Sequence, residues 1–468
     1  MMNIFRGRPL VLGTTFAIAT AGMSIAAAAP SHAAAPAAAT LASCPSYPVI
    51  YYGMTGSCVK LAQQLLIKHG YSVGSSGADG IFGSATRSAV ERFQSARLLN
   101  STGVVDDLTW KALLRFGAAG SACVTETYNE MTVPQRLGQL IMVGMTSGNQ
   151  STVHGLIANY HVGNIVYLGG WSGDGTVGRT SDGLQRRTSN SATDGVAMLI
   201  GADQEGGYVQ QLTGTGFTRL PTALTQGTWS SSQQYSTAAT VGQQLRNVGV
   251  GANLAPVTDT VPQSLGTRNG PIGHYYREYG YTPSVVTRAV TNVVHGLNSR
   301  REVATLKHFP GIGRILNNTD TSSTGITDNT MTSTDPYLSP FQAGVNAGAG
   351  MVMVGLAWYP KIDSVNQAPF SFRIITTILR HNLGFKGVVV SDSMSAVAVQ
   401  RVPVGDRAVR FISAGGDMVL TGSTSEVPTM LSAIGARVRT SSTFAWQVNY
   451  AIHRILALKA AHGLLFCR

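Results

Sequence analysis

Charged side chains stand at the carboxyl ends of several apolar segments, and their types suggest what they could do together. The set comprises Asp203 and Glu205, Asp259, Lys307 and His308, Asp392, and Asp417. Carboxylates can attack a glycosidic carbon and transfer protons, while ammonium and imidazole groups donate hydrogen bonds to hydroxyl groups. These residues therefore predict a polar pocket suited to sugar chemistry, provided that the fold brings the segment ends together.

The segments that carry these residues alternate with amphipathic helical patterns. The strand candidates are GNIVYLGG, AMLIGADQEGG, VGANLAPVTD, VATLKHFPG, GMVMVGLAWYP, GVVVSDS and GDMVLTG. Such alternation predicts parallel strands with crossover helices, in a closed barrel or in an open doubly wound sheet. A barrel gathers the carboxyl ends of all its strands at one mouth, and no GxGxxG opens a first helix, so we predict a TIM-type (β/α)8 barrel.

The barrel segment is predicted to span 124–468, with a helix near its start. Thr132 and Gln135 have capping-box spacing, and Leu137, Leu140 and Ile141 form an apolar stripe at helical intervals. We therefore expect one helix to carry all three apolar residues.

Residues 44–118 have a separate pattern that predicts a small three-helix domain. The first helix runs from Cys58 to about His69, a turn follows in GADGIFG, and Ser84 is placed to cap the second helix. Trp110 and Leu113 belong to a short third helix. A helical spacer or dimerisation domain is the alternative interpretation of this segment.

The amino-terminal residues predict export. Residues 1–33 combine a basic start, an apolar run and small residues, as in a secretory signal peptide, and 34–43 form an Ala/Pro-rich linker. A retained membrane anchor is the alternative, but Gly, Thr and Ser interrupt the run. No later segment offers about 18 unbroken apolar residues, so we expect no membrane span after cleavage and a secreted, extracellular or wall-associated protein.

Charge and cysteine content fit this location. The net charge of +12 is spread thinly rather than in blocks, which argues against nucleic acid as a partner and fits an anionic cell wall, although a basic chain also gains solubility. Cys44, Cys58, Cys123 and Cys467 form an even set with three connectivities. We favour Cys44–Cys58 within the small domain and Cys123–Cys467, which would join the ends of the large one.

Several motifs resemble known families. GSCVKLAQQLL, DGIFGSATRSAVERFQ and GVVDDLTWKAL are similar to the type 1 peptidoglycan-binding domain. GADQEGGYVQQL, NLAPVTD, LGTRNGPIG, LKHFPGIG and LGFKGVVVSDSM resemble, in the same order, glycoside hydrolase family 3, and within it the bacterial beta-N-acetylglucosaminidases. The resemblance implies a retaining hydrolase that needs no metal or organic cofactor.

The resemblance also implies roles for individual residues. Asp392 matches the nucleophile, whereas Asp203, Arg268, Lys307 and His308 match residues that bind the sugar. A helix-capping Asp392 and a core histidine at 308 are the alternatives that do not involve catalysis.

Other positions depart from the family pattern. Ile312 replaces a motif histidine, and Ser322 replaces the histidine of the Asp-x-His acid/base dyad when the sequences are aligned on Asp320. Tyr208 and Gln211 occupy positions often held by arginine. Asp320 itself is the first candidate for the acid, with Glu205 or Asp328 as other sources.

Three functions remain open from the sequence. The first is a retaining exo-acting beta-N-acetylhexosaminidase, monomeric and anchored to peptidoglycan, that trims wall-derived amino sugars. The second is a catalytically impaired barrel that binds wall glycan, with the small domain as a second contact. The third is a family 3 glycosidase for a different sugar.

Overall fold

The computed structural model describes residues 44, 47–97, 99–113 and 121–465. The predicted signal peptide and linker lie outside these residues, and so does Cys467, so the Cys123–Cys467 pairing stays a prediction. The Cys44–Cys58 disulfide is confirmed. Within the described part of the chain, no helix combines the length and the apolar character that a membrane crossing needs.

Eight parallel strands form the predicted barrel. They are β1 (Ile141–Met145), β2 (Asn164–Tyr167), β3 (Leu199–Ala202), β4 (Ala252–Asn253), β5 (Val303–Phe309), β6 (Met351–Val354), β7 (Val388–Ser391) and β8 (Val419–Thr421). Each strand pairs with its neighbour in sequence, β1 also pairs with β8, and a parallel bridge from Val390 to Met418 joins β7 to β8. All eight are buried along their whole length because helices cover the outside of the barrel.

Helices connect the strands and cover the barrel. They are Ser121–Glu130, Val133–Gly138, Gln150–Tyr160, Asp174–Gln185, Asn190–Thr193, Ala223–Gln226, Ser231–Asn247, Pro283–Asn298, Ser339–Asn346, the π-helix Arg373–Asn382, Val404–Ser413, Val427–Thr440 and Ser442–Ala461. A short antiparallel hairpin, Gln204–Gly206 with Val209–Gln210, follows β3 and extends the barrel at its mouth.

The predicted helix at Thr132 is shorter than its apolar stripe suggested. The Thr132 capping box is present, but the helix ends at Gly138, and Ile141 begins β1. A Cβ atom at Gly138 would lie 1.9 Å from the carbonyl oxygen of His161, so the chain can pass close to that loop only with glycine here. The apolar run after it is buried on all sides, which fits a barrel strand.

The small domain has three helices and its own core. Ser57–Lys68, Ser84–Ala96 and Asp107–Leu113 pack around Phe82, Phe93 and Trp110. The first two helices begin at or within one residue of the predicted positions, and Gly83 rather than Ser84 is the cap of the second.

The small domain contacts the barrel near the amino ends of its strands. Gln243 Nε2 donates to Ser95 Oγ at 2.8 Å, Arg246 Nε donates to the Ser95 carbonyl at 3.0 Å, and Asn100 bridges to Val248. Residues 243–248 directly precede β4, so the small domain packs at the end of the barrel opposite the strand carboxyl ends.

Candidate active site

A cavity of about 520 Å³ opens at the carboxyl ends of the strands. Five of the six predicted site residues line it, namely Asp203, Lys307, His308, Asp320 and Asp392. Its volume suits a small ligand such as one or two sugar rings. The structure therefore brings together side chains from β3, β5 and β7 and from the loop after β5.

Two carboxylates and two cations form a paired-charge floor, in which Asp203, Arg277 and Lys307 line the cavity and Glu205 lies buried behind them. Lys307 Nζ lies 2.6 Å from Asp203 Oδ1 and 2.5 Å from Glu205 Oε1. Arg277 donates from Nε and Nη2 to the two Glu205 oxygens at 2.9 and 2.8 Å. Because each buried charge has an opposite charge in contact, the floor can stay ionised out of water, which an unpaired charge could not do.

The pairing fixes the protonation of the floor. Burial alone would raise the pKa of Glu205, but Arg277 and Lys307 hold it at about 2. Burial lowers the pKa of Lys307, and the carboxylates of Asp203 and Glu205 outweigh that effect, so its pKa is raised. Two cations thus hold Glu205 as a carboxylate, which argues against the hypothesis that it serves as the general acid.

His308 is held by a buried carboxylate behind it. Asp259 Oδ2 accepts from His308 Nδ1 at 2.7 Å and from the His308 backbone N–H at 3.0 Å, and Asp259 Oδ1 accepts from the Ile312 N–H at 2.7 Å. This contact places the Nδ1 proton toward Asp259 and leaves Nε2 as the nitrogen free to meet a ligand in the cavity.

Asp392 follows β7 directly and lies on the cavity wall. Its backbone N–H donates to the Val354 carbonyl at 2.9 Å, which continues the strand pairing to the last residue before the turn. Its Oδ1 accepts from the Ser393 N–H at 2.8 Å, and the side chain is partly exposed to the cavity. The strand end therefore holds this carboxylate in place at the cavity.

The loop after β5 carries Asp320 over the cavity. The backbone carbonyl groups of Thr319 and Asp320 accept hydrogen bonds at 3.0 and 3.1 Å from the N–H groups of Ala398 and Val397, which lie in the segment after β7. On its other side, Gly270 N–H donates to the Leu316 carbonyl at 2.8 Å. The loop is therefore tied down on both sides of the mouth.

The surroundings of Asp320 raise its pKa above that of an ordinary aspartate. The residue is exposed at the loop surface, yet loss of solvation by the surrounding walls and the negative charge of Asp392 raise its pKa to about 6. Asp328, the other carboxylate considered in this loop, is buried, lies 3.1 Å from Arg314 Nε and does not line the cavity. The described carboxylates therefore leave Asp320 as the candidate acid.

The structure separates Arg268 from the other predicted residues. Arg268 is exposed, its guanidinium donates to the Ser264 carbonyl at 2.5 Å, and it does not line the cavity. Arg277, in the same connection between β4 and the next helix, is the arginine that reaches the floor. The sequence holds no local signal that distinguishes the two, because both lie in polar, glycine-containing stretches.

The departures from the family pattern fall into two groups. Ile312 and Tyr208 line the cavity, and Tyr208 stands at its entrance. Ser322 does not line it and donates from Oγ to the Thr324 carbonyl at 2.9 Å, while Gln211 accepts from the Gly170 N–H at 3.1 Å. Among the residues that the structure describes, no group of three or more His, Cys, Asp or Glu side chains could hold a metal ion.

A parallel barrel with a carboxylate after β7 and a paired-charge floor defines a glycoside hydrolase type of site. Residues 132–458 match the glycosyl hydrolase family 3 N terminal domain, and residues 55–113 match a putative peptidoglycan binding domain. The chain belongs to glycoside hydrolase family 3, as a beta-N-acetylhexosaminidase-like member with an added peptidoglycan-binding domain.

Individual relatives agree with this assignment. A beta-hexosaminidase of Stenotrophomonas maltophilia (strain K279a) is 35% identical over 249 residues, which cover 51% of this chain and 71% of that protein. The crystal structure of a beta-N-acetylhexosaminidase from Beutenbergia cavernae DSM 12333 matches with 38% identity and a TM-score of 0.68, over 70% of this chain and 98% of the other. A family 3 beta-N-acetylglucosaminidase from Paenibacillus sp. str. FPU-7 matches with 28% identity and a TM-score of 0.61, over 71% of this chain and 63% of the other.

Proposed function

We propose that this protein is a secreted, retaining, exo-acting beta-N-acetylhexosaminidase that removes amino sugars from the non-reducing ends of peptidoglycan-derived glycan. The observation that carries the proposal is one cavity in which Asp392 stands on the wall, a paired-charge floor closes the bottom, and a carboxyl of raised pKa covers the mouth. The names of the relatives support the acetylated amino sugar as the substrate class.

The floor binds the sugar that is removed. Asp203, Lys307 and Arg277 of the floor offer charged acceptors and donors to vicinal hydroxyl groups, and His308 adds a ring nitrogen beside them. A hydrogen bond to a charged group contributes about 1.5–3 kcal/mol, so a few of them fix the ring against Asp392. Arg268 stays a proposed sugar ligand only if its loop moves, since its side chain lies outside the cavity here.

The reaction then proceeds in two displacements. The Asp392 carboxylate forms a bond to the anomeric carbon as the bond to the leaving oxygen breaks, and Asp320 gives its proton to that oxygen. In the second step Asp320, now a carboxylate, takes a proton from water, and the water oxygen displaces Asp392. Both groups return to their initial states, and the product keeps the configuration of the substrate.

The assignment of Asp320 as acid/base rests on its pKa and position. A carboxyl with a pKa of about 6 is protonated in a useful fraction near pH 6, whereas an ordinary aspartate is not. Its negative neighbour Asp392 loses charge when the glycosyl bond forms, so the pKa of Asp320 falls in the intermediate and favours its second role as a base.

The small domain supports wall glycan as the polymer that is bound. It matches a putative peptidoglycan binding domain, and the Cys44–Cys58 disulfide suits an oxidising compartment outside the cytosol. Export, wall association and a monomeric state complete the proposal.

The test is an assay of two substrates. A nitrophenyl beta-N-acetylglucosaminide, which needs little acid help, and a purified muropeptide glycan with a terminal N-acetylglucosamine are incubated with the full chain and with Asp392→Ala. We expect release of N-acetylglucosamine from both by the wild type and from neither by the variant. Cleavage of other nitrophenyl sugars alone would replace the acetylated amino sugar with another substrate, and binding without turnover of either would replace catalysis with glycan binding.

A further inference from the structure

Two tyrosines stand exposed at the entrance of the cavity. Tyr208 and Tyr275 both line the cavity, and they are 70% and 37% exposed. Their ring centroids lie 6.1 Å apart at an interplanar angle of 63°. Two aromatic rings that lie together in solvent at the edge of a cavity form a contiguous apolar surface, which is typical of a ligand-binding site.

The backbone under Tyr208 is packed closely against a neighbouring segment. Gly206 and Gly207 have φ values of 100° and 56°, and a Cβ atom at Gly206 would lie 2.5 Å from the Pro221 carbonyl oxygen. The Gly207 N–H also donates to the Leu220 carbonyl at 3.0 Å. Tyr208 therefore follows a turn that is packed closely against a neighbouring segment.

Tyr275 is supported in a similar way. It ends the short 3-10 turn Gly273–Tyr275, whose start is fixed by Asn269 Oδ1 accepting from the Ile272 and Gly273 N–H groups at 3.0 and 2.8 Å. The ring of His274 packs edge-on against Tyr275 at 4.7 Å between centroids.

An ion pair joins the two segments below the rings. Glu205 lies three positions before Tyr208, Arg277 lies two positions after Tyr275, and their side chains make two hydrogen bonds at 2.8 and 2.9 Å. The spacing of the two tyrosines is thus set by a buried contact and needs little rearrangement when a ligand binds.

The position of the pair identifies which part of a ligand it meets. Lys307 is buried and lines the inner end of the cavity, with Glu205 in contact behind it, so a sugar held there can continue only outward. We propose that Tyr208 and Tyr275 form a subsite for the leaving group, in which a second pyranose ring lies against the tyrosine rings. The inference rests on the proposed function and narrows its substrates to glycan ends in which the departing group is itself a sugar ring.

The subsite is tested with two substrates that differ in the leaving group. Chitobiose carries a second sugar, whereas N-acetylglucosaminyl azide carries a leaving group too small to cover a tyrosine ring. For Tyr208→Ala and Tyr275→Ala, we expect the ratio of kcat/KM for chitobiose to kcat/KM for the azide to fall about tenfold per ring, as for stacked ligands that lose an aromatic partner. Tyr208→Phe keeps the ring and should keep the ratio.

Two controls separate this subsite from the catalytic proposal. Tyr235→Ala removes an exposed tyrosine on the helix Ser231–Asn247, away from the cavity, and should not change the ratio. If the wild type hydrolyses neither substrate, calorimetric binding decides: the subsite requires chitobiose to bind more tightly than N-acetylglucosamine, and Tyr208→Ala to remove that difference. An unchanged ratio in active variants, or equal affinity for the two sugars, overturns the inference.

Discussion

The floor of the cavity and the loop above it both carry carboxyl side chains, but the surroundings of these groups differ. On the floor, Glu205 touches both Arg277 and Lys307, and its pKa is held at about 2. In the loop, loss of solvation and the negative charge of Asp392 raise the pKa of Asp320 to about 6. Charge pairing makes the floor a fixed set of ions for binding, whereas loss of solvation and the neighbouring Asp392 carboxylate make Asp320 able to exchange a proton near neutral pH.

The difference separates binding from proton transfer along the chain. Asp203, Glu205 and Lys307 come from strand ends and their first turns, which the barrel holds in place, and Arg277 reaches them from the connection after β4. Asp320 comes from a loop whose position depends on contacts with 397–398 and 270. Changes to the floor should therefore alter affinity and rate at all pH values, while changes to the loop should alter the pH profile and the dependence on leaving group.

Loss of the proposed nucleophile should have the largest effect, because the reaction needs Asp392 even when the floor and the loop are both intact. Asp392→Ala is expected to lower kcat on nitrophenyl N-acetylglucosaminide by more than about 10,000-fold. Added azide should restore part of the rate and give the alpha-glycosyl azide, because azide enters from the side that the carboxylate has vacated. Product analysis by NMR is the measurement, and a beta-azide product would contradict direct attack by Asp392.

The role of the floor is tested with two matched arginine variants, one in the floor and one outside the cavity. Arg277→Met leaves Glu205 with Lys307 alone, and we expect kcat/KM to fall about 100-fold at all pH values, in line with breaking a buried ion pair. Arg268→Met removes an exposed side chain of the same charge and should change kcat/KM by less than about twofold. Thermal melting of both variants checks folding, and Arg277→Lys, which keeps charge without two parallel bonds, should fall between them. A larger effect at Arg268 would return that residue to the sugar site.

The loop is tested by the pH profile. Asp320 must be protonated in the first step, so kcat/KM on chitobiose should decline as the pH rises through about 6. Asp320→Asn should lower kcat/KM about 100-fold to 1,000-fold at pH 5.5 and remove this decline, with a smaller loss on the nitrophenyl substrate. A profile that keeps its decline in the variant would assign the acid to another group.

The smallest expected effect comes from introducing an imidazole into the loop that carries Asp320. Ser322→His places a histidine at the position expected from the dyad, and a protonated imidazole near carboxylates persists to higher pH than Asp320 does. We expect kcat/KM on chitobiose to rise about tenfold or less at pH 7.5. Ser323→His puts the same group on the next, exposed position and serves as the control. An equal gain in both variants would point to a general effect of added charge.

The strand ends could be predicted from the sequence because their positions follow from a local pattern. An apolar run of strand length ends in Asp392 or in Lys307 and His308, and closure of the barrel brings these ends together whatever the loops do. The same logic failed at Ile141, where spacing alone could not distinguish the last turn of a helix from the first residue of a strand. The helix ends where Gly138 passes close to the carbonyl oxygen of His161, and this contact with a distant loop cannot be seen in the local sequence.

The remaining features depend on neighbours that the sequence does not reveal. Glu205 was a candidate acid until the structure showed it against two cations, since a pKa is set by surroundings and not by residue type. Arg268 and Arg277 share one connection, and only the course of that loop determines which reaches the floor. The tyrosine pair likewise needed the fold, because Tyr208 and Tyr275 come from different connections.

The attachment of the small domain determines where the enzyme can work. Because this domain packs against segments at the amino ends of the strands, it lies on the side of the molecule remote from the catalytic opening. A glycan strand bound by the small domain, as proposed, would therefore be a different strand from the one whose end enters the cavity. An enzyme built this way would stay on one strand of the wall and trim the free ends of its neighbours, so its reach would be set by the mesh of the wall.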